Sequence, residues 1–190
     1  LYEAIPQTHY LQKAYEITEY AEKHYSDGDG VYFLYSPDFQ QDVAVRKLDL
    51  YDGATPSGNG IMAWNLYRMS ILYDRSDWKK RSLKMLEGTR EAMVKWPNSF
   101  GVWANFMLEN IVGTHEIVVL GPNAETSGQS ILRNFIPNRV FMSASEPNSD
   151  FPMMSNKHNN GEKRYYLCQN YSCLLPFSTE SALIQAILTN

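Results

Sequence analysis

Apolar residues recur at helical spacing through most of residues 1–112. In 10–25 they fall on one face, which predicts an amphipathic helix. After a turn rich in Gly, Pro, Ser and Asn, the segment 58–73 is apolar on all sides, so we predict a helix that is buried almost all round. Segments 77–95 and 99–111 continue the helical period, and the short break before the first of them predicts an antiparallel hairpin of helices.

The pattern changes after Gly113. Residues 116–120 form a short run that is apolar after Glu116 and mostly β-branched, which predicts a buried strand. The remaining predicted elements are a helix at 126–136, strands at 139–143 and 164–169, a mobile loop at 145–161 and a closing helix at 179–188. A short strand is also predicted at 31–35. We therefore expect helical hairpins over residues 1–112 and a small β-α-β-β-α appendage over residues 113–190.

Composition and charge exclude several classes of protein. The chain has 190 residues, a net charge of -4 and an isoelectric point near 5.6. An acidic protein lacks the basic surface that phosphate neutralisation requires, so we expect no nucleic-acid partner. No apolar run approaches the roughly 18 to 20 residues of a membrane span, so we expect no membrane partner. The chain begins at Leu1, which suggests a fragment, and without a targeting segment we expect it to be cytoplasmic.

Four stretches, in order along the chain, carry a resemblance to a known family. They are YDGATPSGN at 51–59, NLYR at 65–68, the strand region 116–121, and YLCQNYSC at 166–173 with Pro176 after it. The chain resembles the thioredoxin-domain-containing family that includes the spermatogenesis-associated thioredoxin-like protein and its bacterial relatives. Two positions depart from the family pattern: Leu48 stands where a lysine is usual, and Gly60 stands where a serine is usual.

The resemblance implies a fold and a partner. Full-length members resemble a thioredoxin-like domain joined to an α/α toroid similar to N-acylglucosamine 2-epimerases and six-hairpin glycosidases. We therefore expect a mainly α chain, a fragment of that toroid, with a small C-terminal mixed α/β unit. The absent thioredoxin-like domain is the implied partner, and an open toroid flank predicts self-association.

Polar residues at the start of the helix 58–73 are the candidate ligand-binding residues. We assign Asp52, Ser57, Asn59 and Asn65 to the binding of a carbohydrate or a related small polar ligand, with Trp64 as a stacking surface. The alternative is structural, because Asp-Gly forms turns, Ser caps helices and Asn tolerates left-handed backbone. A tryptophan on an apolar helix face is also an ordinary core residue.

The sequence does not decide whether the protein is an enzyme. Asp52 and Glu109 are the candidates for the acid and base of a glycosidase, which needs two carboxyl groups roughly 5 to 9.5 Å apart. An epimerase or isomerase needs a general base, usually a histidine, and none of the four histidines lies in a recognisable catalytic motif. The alternative function is a non-catalytic scaffold or interaction module that serves the thioredoxin-like domain. We expect no cofactor.

Cys168 and Cys173 are the two cysteines of the chain. Four residues separate them, which is not the spacing of a Cys-x-x-Cys redox pair. Structural thiols are the favoured interpretation, a disulfide is the second, and a metal site is the third because zinc would need two more ligands. We therefore predict no metal.

Overall fold

The computed structural model describes residues 1–189. The helices and strands are α1 (His9–Tyr25), α2 (Gly58–Tyr73), α3 (Ser76–Glu87), α4 (Arg90–Lys95), α5 (Gly101–Val112), β1 (His115–Leu120), α6 (Ala124–Leu132), β2 (Arg139–Ala144), β3 (Arg164–Gln169), β4 (Ser172–Cys173) and α7 (Glu180–Thr189). Short 3-10 helices span Pro97–Ser99 and Pro152–Met154. None of the helices in this range is long and apolar enough to cross a membrane.

The chain forms two compact units. The helical unit comprises Leu11–Ile71 and Arg75–Ile111. The sheet unit comprises Leu1–Tyr10, Leu72–Asp74 and everything from Val112 to the end of the described chain. The sheet unit is thus assembled from three separate stretches of sequence.

The predicted fold class, a mainly α fragment of an α/α toroid, is wrong. The described chain combines seven α-helices with a four-stranded mixed sheet, which makes it an α/β protein. The reason is that β1 pairs with a strand on each side, and the resulting sheet packs on a hydrophobic core of its own. The sheet is therefore a main layer of the protein.

The helical unit follows the hydrophobic pattern closely. Helices α1, α2 and α5 lie where the pattern predicts them, but the predicted helix 77–95 is divided into α3 and α4. The division falls at Gly88 and Thr89, where the Thr89 hydroxyl donates to the Leu86 carbonyl at 2.8 Å. The predicted strand 31–35 is reduced to isolated bridges, Phe33 with Ser26 and Leu34 with Leu48. The large side chains that form the core of this unit are Leu66, Trp78, Met85, Phe100, Trp103 and Phe106.

The sheet has the strand order β2-β1-β3-β4. Strands β1 and β2 are parallel and joined through α6, whereas β3 is antiparallel to both β1 and β4. Because side chains alternate along a strand, one face of the sheet is apolar and is covered by α6 and α7. The residues of that core are Ile117, Val119, Ala124, Ile131, Ile136, Phe141, Tyr165, Leu167 and Leu183.

Part of the segment 145–161 packs against the opposite face of the sheet, through contacts of its 3-10 helix with β1. This segment contains the 3-10 helix Pro152–Met154, and Phe151, Met153 and Met154 are buried. The Phe151 ring also contacts the Tyr73 ring, with centroids 5.3 Å apart. Part of the predicted loop therefore covers a sheet face, and its buried side chains supply the apolar contacts.

Candidate functional site

Asp52 connects the starts of two helices of the helical unit. Its Oδ1 accepts a hydrogen bond from the Ser57 backbone N–H, and its Oδ2 accepts one from the Val102 N–H, both at 2.8 Å. Ser57 precedes α2, and Val102 lies in the first turn of α5. A carboxylate there satisfies backbone donors that lack intrahelical partners and interacts favourably with the helix dipoles. This is the hydrogen bonding of a shared helix cap.

Ser57 and Asn59 are buried and hydrogen-bonded within the unit. The Ser57 hydroxyl accepts from the Gly60 N–H at 3.3 Å, as an N-cap serine does. The Asn59 side chain accepts from the Phe33 N–H and donates to the Phe33 and Asp49 carbonyls, at 2.8 to 2.9 Å. Asn59 therefore fixes two other backbone segments against the start of α2. Both side chains are thus engaged in hydrogen bonds to backbone groups of the unit.

Trp64, Arg68 and Glu109 form a cluster between α2 and α5. The Glu109 Oε2 accepts from the Trp64 indole N–H at 2.5 Å and from the Arg68 guanidinium at 2.8 Å. Glu109 has no solvent exposure, and the guanidinium lies 4.7 Å from the centroid of the Trp64 ring. One face of the tryptophan is thus covered by a cation. Asn65, on the same helix, is exposed.

The two candidate catalytic carboxyl groups have different environments. Asp52 is partly exposed and bonded to two backbone N–H groups, whereas Glu109 is buried in an ion pair. Both groups have a structural partner for the charge that they carry. The arrangement explains why both residues are present without requiring a reaction.

A cleft of about 410 Å³ opens beside the start of α2. It lies wholly in the helical unit, and its lining residues are Ala21, Tyr25, Phe33, Leu34, Tyr35, Asp49, Pro56, Gly58, Asn59 and Met62. Of the five predicted ligand-binding residues, Asn59 lines this cleft, whereas Asp52, Ser57, Trp64 and Asn65 are not among the lining residues. The volume is within the range of small-molecule sites, roughly 300 to 1,000 Å³.

Three lining residues of this cleft were missed by sequence reasoning: Tyr25, Tyr35 and Asp49. Tyr35 is 73% exposed, and the Lys47 ammonium lies over its ring at 5.8 Å from the centroid. The Asp49 carboxylate is about one-third exposed, accepts from the Tyr51 N–H at 3.2 Å and lies 3.4 Å from the Lys47 ammonium. The aromatic run at 31–35 could have pointed to Tyr35. Asp49 could not be found in this way, because it is brought beside that run by hydrogen bonds of Asn59 to Phe33 and Asp49, which are distant in sequence.

The two cysteines form a disulfide in the sheet unit. Cys168 in β3 and Cys173 in β4 are opposite each other in the strand register, with their Cα atoms 3.9 Å apart. The favoured interpretation as free structural thiols is therefore replaced by the second one. Within residues 1–189 no group of three or more His, Cys, Asp or Glu side chains is placed to hold a metal ion.

Comparisons with known proteins identify homologues of this chain. It is similar to spermatogenesis-associated protein 20 of Rattus norvegicus (27% identical), Mus musculus (25%) and Homo sapiens (24%), in each case over 94% of the chain. The chain spans about a quarter of the length of these relatives, 24% in each case. No sequence-family model matches it. The predicted resemblance to relatives of this spermatogenesis-associated protein is thereby confirmed as homology.

Proposed function

We propose that the helical unit binds a carbohydrate or a related small polar ligand in the cleft beside the start of α2. The observation that carries the proposal is the combination of aromatic walls with a single carboxylate at an open cleft. Tyr25, Phe33 and Tyr35 provide apolar ring surfaces, and Asp49 provides two acceptor oxygens. Sugars present the matching surfaces, because their C–H faces stack on aromatic rings while their hydroxyls donate hydrogen bonds.

Asn59 supports this proposal as a positioning residue. Its amide holds the backbone of Phe33 and Asp49 at 2.8 to 2.9 Å, so it fixes two walls of the cleft relative to α2. The ligand would then contact Tyr35 and Asp49, while the polar segment 52–59 maintains the shape of the cleft. In this proposal, the segment 52–59, which carries the resemblance to the family, serves to build the site.

The test is a titration of the protein with mono- and disaccharides, monitored by chemical-shift changes. Saturable shifts centred on Tyr25, Tyr35 and Asp49 are expected. Tyr35→Ala should weaken binding about tenfold, equivalent to about 1.4 kcal/mol, whereas Tyr35→Phe, which keeps the ring, should bind within about twofold of the parent.

The carboxylate is tested with a matched pair of variants. Asp49→Asn removes the charge at the cleft, and Asp42→Asn removes one from an exposed position of the same unit that does not line it. Only the first should weaken binding. The proposal fails if no sugar of the panel produces shifts at millimolar concentration, or if the shifts are the same in Tyr35→Ala and Asp49→Asn as in the parent.

A second candidate function is a non-catalytic interaction module for a thioredoxin-like domain. The observation in its favour is that Asp52 and Glu109, the candidate catalytic carboxylates, both have structural partners. Isothermal titration with a purified thioredoxin-like domain from a homologue tests it. Measurable affinity together with the absence of sugar binding would favour this function over the first.

A further inference from the structure

The Cys168–Cys173 disulfide has one accessible and one buried end. Cys168 is 3% exposed, whereas Cys173 lies exposed in β4, the edge strand of the sheet. The two strands are joined through Asn170 and Tyr171, which both adopt left-handed backbone, with φ of 49° and 61°. Such backbone at both central positions is typical of the two-residue turns that close β-hairpins. Cys173 is therefore the sulfur that a solution thiol can reach.

A buried carboxylate lies beside the buried cysteine. Glu116 in β1 is directly opposite Cys168 in the strand register, so their side chains share one face of the sheet with Cβ atoms about 4.5 to 5.5 Å apart. Glu116 is 3% exposed, and both of its carboxylate oxygens lie 3.3 Å from the Tyr171 backbone N, which donates to them. Glu116, Cys168 and Cys173 thus form a row across three strands.

A cavity of about 450 Å³ connects this row to solvent. Glu116, Lys157 and Cys173 all line it. Lys157 is buried, and burial lowers the pKa of its ammonium group, while the negative charge of Glu116 opposes that change. The other titratable groups lining the cavity are Asp74, Tyr166 and Tyr171. A carboxylate and an ammonium group therefore face a space that contains one end of the disulfide.

A purely structural disulfide does not account for these features. A cross-link between residues five apart closes a short loop, which removes the least conformational entropy from the unfolded chain, and the turn already closes this hairpin. Glu116 lies opposite the buried Cys168 and lines the same cavity as Cys173, so its carboxylate is placed to exchange a proton with the Cys168 sulfur.

We propose that Cys168–Cys173 is a redox-active disulfide that exchanges with dithiols, with Cys173 as the attacked sulfur and Glu116 as the group that transfers the proton of Cys168. The reductant is a dithiol, either a small molecule or a protein. The residues of this activity belong to the sheet unit, whereas the cleft proposed for ligand binding belongs to the helical unit.

The exchange proceeds in two displacements. A thiolate of the dithiol attacks the Cys173 Sγ, the bond to Cys168 breaks, and its electron pair leaves on the Cys168 Sγ. The second thiolate of the dithiol then attacks the dithiol sulfur that is bonded to Cys173. This closes the disulfide of the dithiol and releases Cys173 as a thiolate. The dithiol is oxidised to a disulfide, and its two protons end on the cysteines. Cys173 takes one from solvent and Cys168 takes the other through Glu116.

The test measures reduction of the native protein by dithiothreitol, with alkylation and mass spectrometry to count free thiols. We expect reduction at a rate proportional to the dithiothreitol concentration, with the far-ultraviolet circular dichroism unchanged. Glu116→Gln should slow reduction at least tenfold and remove an inflection from its pH profile. Glu162→Gln, which changes an exposed glutamate of the same unit, should react within twofold of the parent.

The order of attack is tested with single-cysteine variants and oxidised glutathione. Cys168→Ser should capture one glutathione on Cys173, and faster than Cys173→Ser captures one on Cys168. If Glu116→Gln does not fold, Glu116→Asp supplies the comparison, because it keeps the carboxylate but withdraws it by one methylene. Three results would overturn the proposal: a disulfide that resists dithiothreitol until urea unfolds the protein, faster capture by Cys168, or a glutamate variant with the parent's rate and pH profile.

Discussion

Replacing Asp52 by alanine should destabilise the helical unit, because it removes one carboxylate from the starts of two helices. The Ser57 and Val102 N–H groups each lose a charged acceptor at 2.8 Å. A hydrogen bond to a charged group contributes about 1.5 to 3 kcal/mol, and a helix cap contributes about 1 kcal/mol. Because Asp52 is partly exposed, water replaces part of each bond. We therefore expect a loss of about 2 to 3 kcal/mol in the free energy of unfolding.

Urea unfolding followed by tryptophan fluorescence measures this loss. All four tryptophans belong to the helical unit, so their fluorescence reports on that unit. With a urea dependence of about 2 kcal/mol per molar, the midpoint should fall by roughly 1 to 1.5 M. Asp52→Asn retains one acceptor oxygen and presents an amide nitrogen to the other N–H, so about half of the loss is expected.

Asp42→Ala is the matched control, since Asp42 is an exposed aspartate of the same unit. It should change the free energy of unfolding by less than about 0.5 kcal/mol. If Asp52→Ala unfolds at the same urea concentration as Asp42→Ala, the carboxylate does not hold the two helices together and the assignment as a shared cap is refuted.

Three further predictions concern other parts of the molecule. Glu109→Ala leaves the Arg68 charge without its buried partner and should cost about 2 to 4 kcal/mol in the same urea assay. Glu109→Gln removes the charge but keeps an acceptor oxygen for Trp64 and Arg68, so it should cost less, and equal losses would contradict a contribution from these hydrogen bonds. Burial raises the pKa of Tyr2 to about 12, so the stability that it contributes is fully present below its ordinary pKa of 10.0 and is lost as the pH rises through about 12. Tyr2→Phe should flatten this alkaline decline, as measured by circular dichroism in urea, and an unchanged decline would exclude Tyr2 as its cause. Gly121 has a φ of +110°, and a Cβ there would meet the Glu162 backbone, so Gly121→Ala should cost at least about 2 kcal/mol, seen as faster amide exchange throughout β1.

The sequence alone determined most of the helices and strands. The apolar spacing in α1 and α2 is a local property, because the side chains that form one face of a helix are three and four residues apart. The β-branched run of β1 likewise identified a buried strand without knowledge of its neighbours. Hydrophobic burial depends on such local periods, so the existence of these elements was readable from the chain.

The tertiary structure decided the fold class and the chemistry of the sites. The toroid assignment was wrong because it rested on a resemblance, whereas the mixed sheet depends on which strands pair. The carboxylate of Asp52 bonds to Val102, which is 50 residues away, and the register of β1 on β3 places Glu116 beside Cys168. Such contacts arise from the packing of segments distant in sequence. The residues that make them, an aspartate in an Asp-Gly turn and a glutamate near the start of a strand, also have local explanations, so the sequence alone does not reveal these contacts.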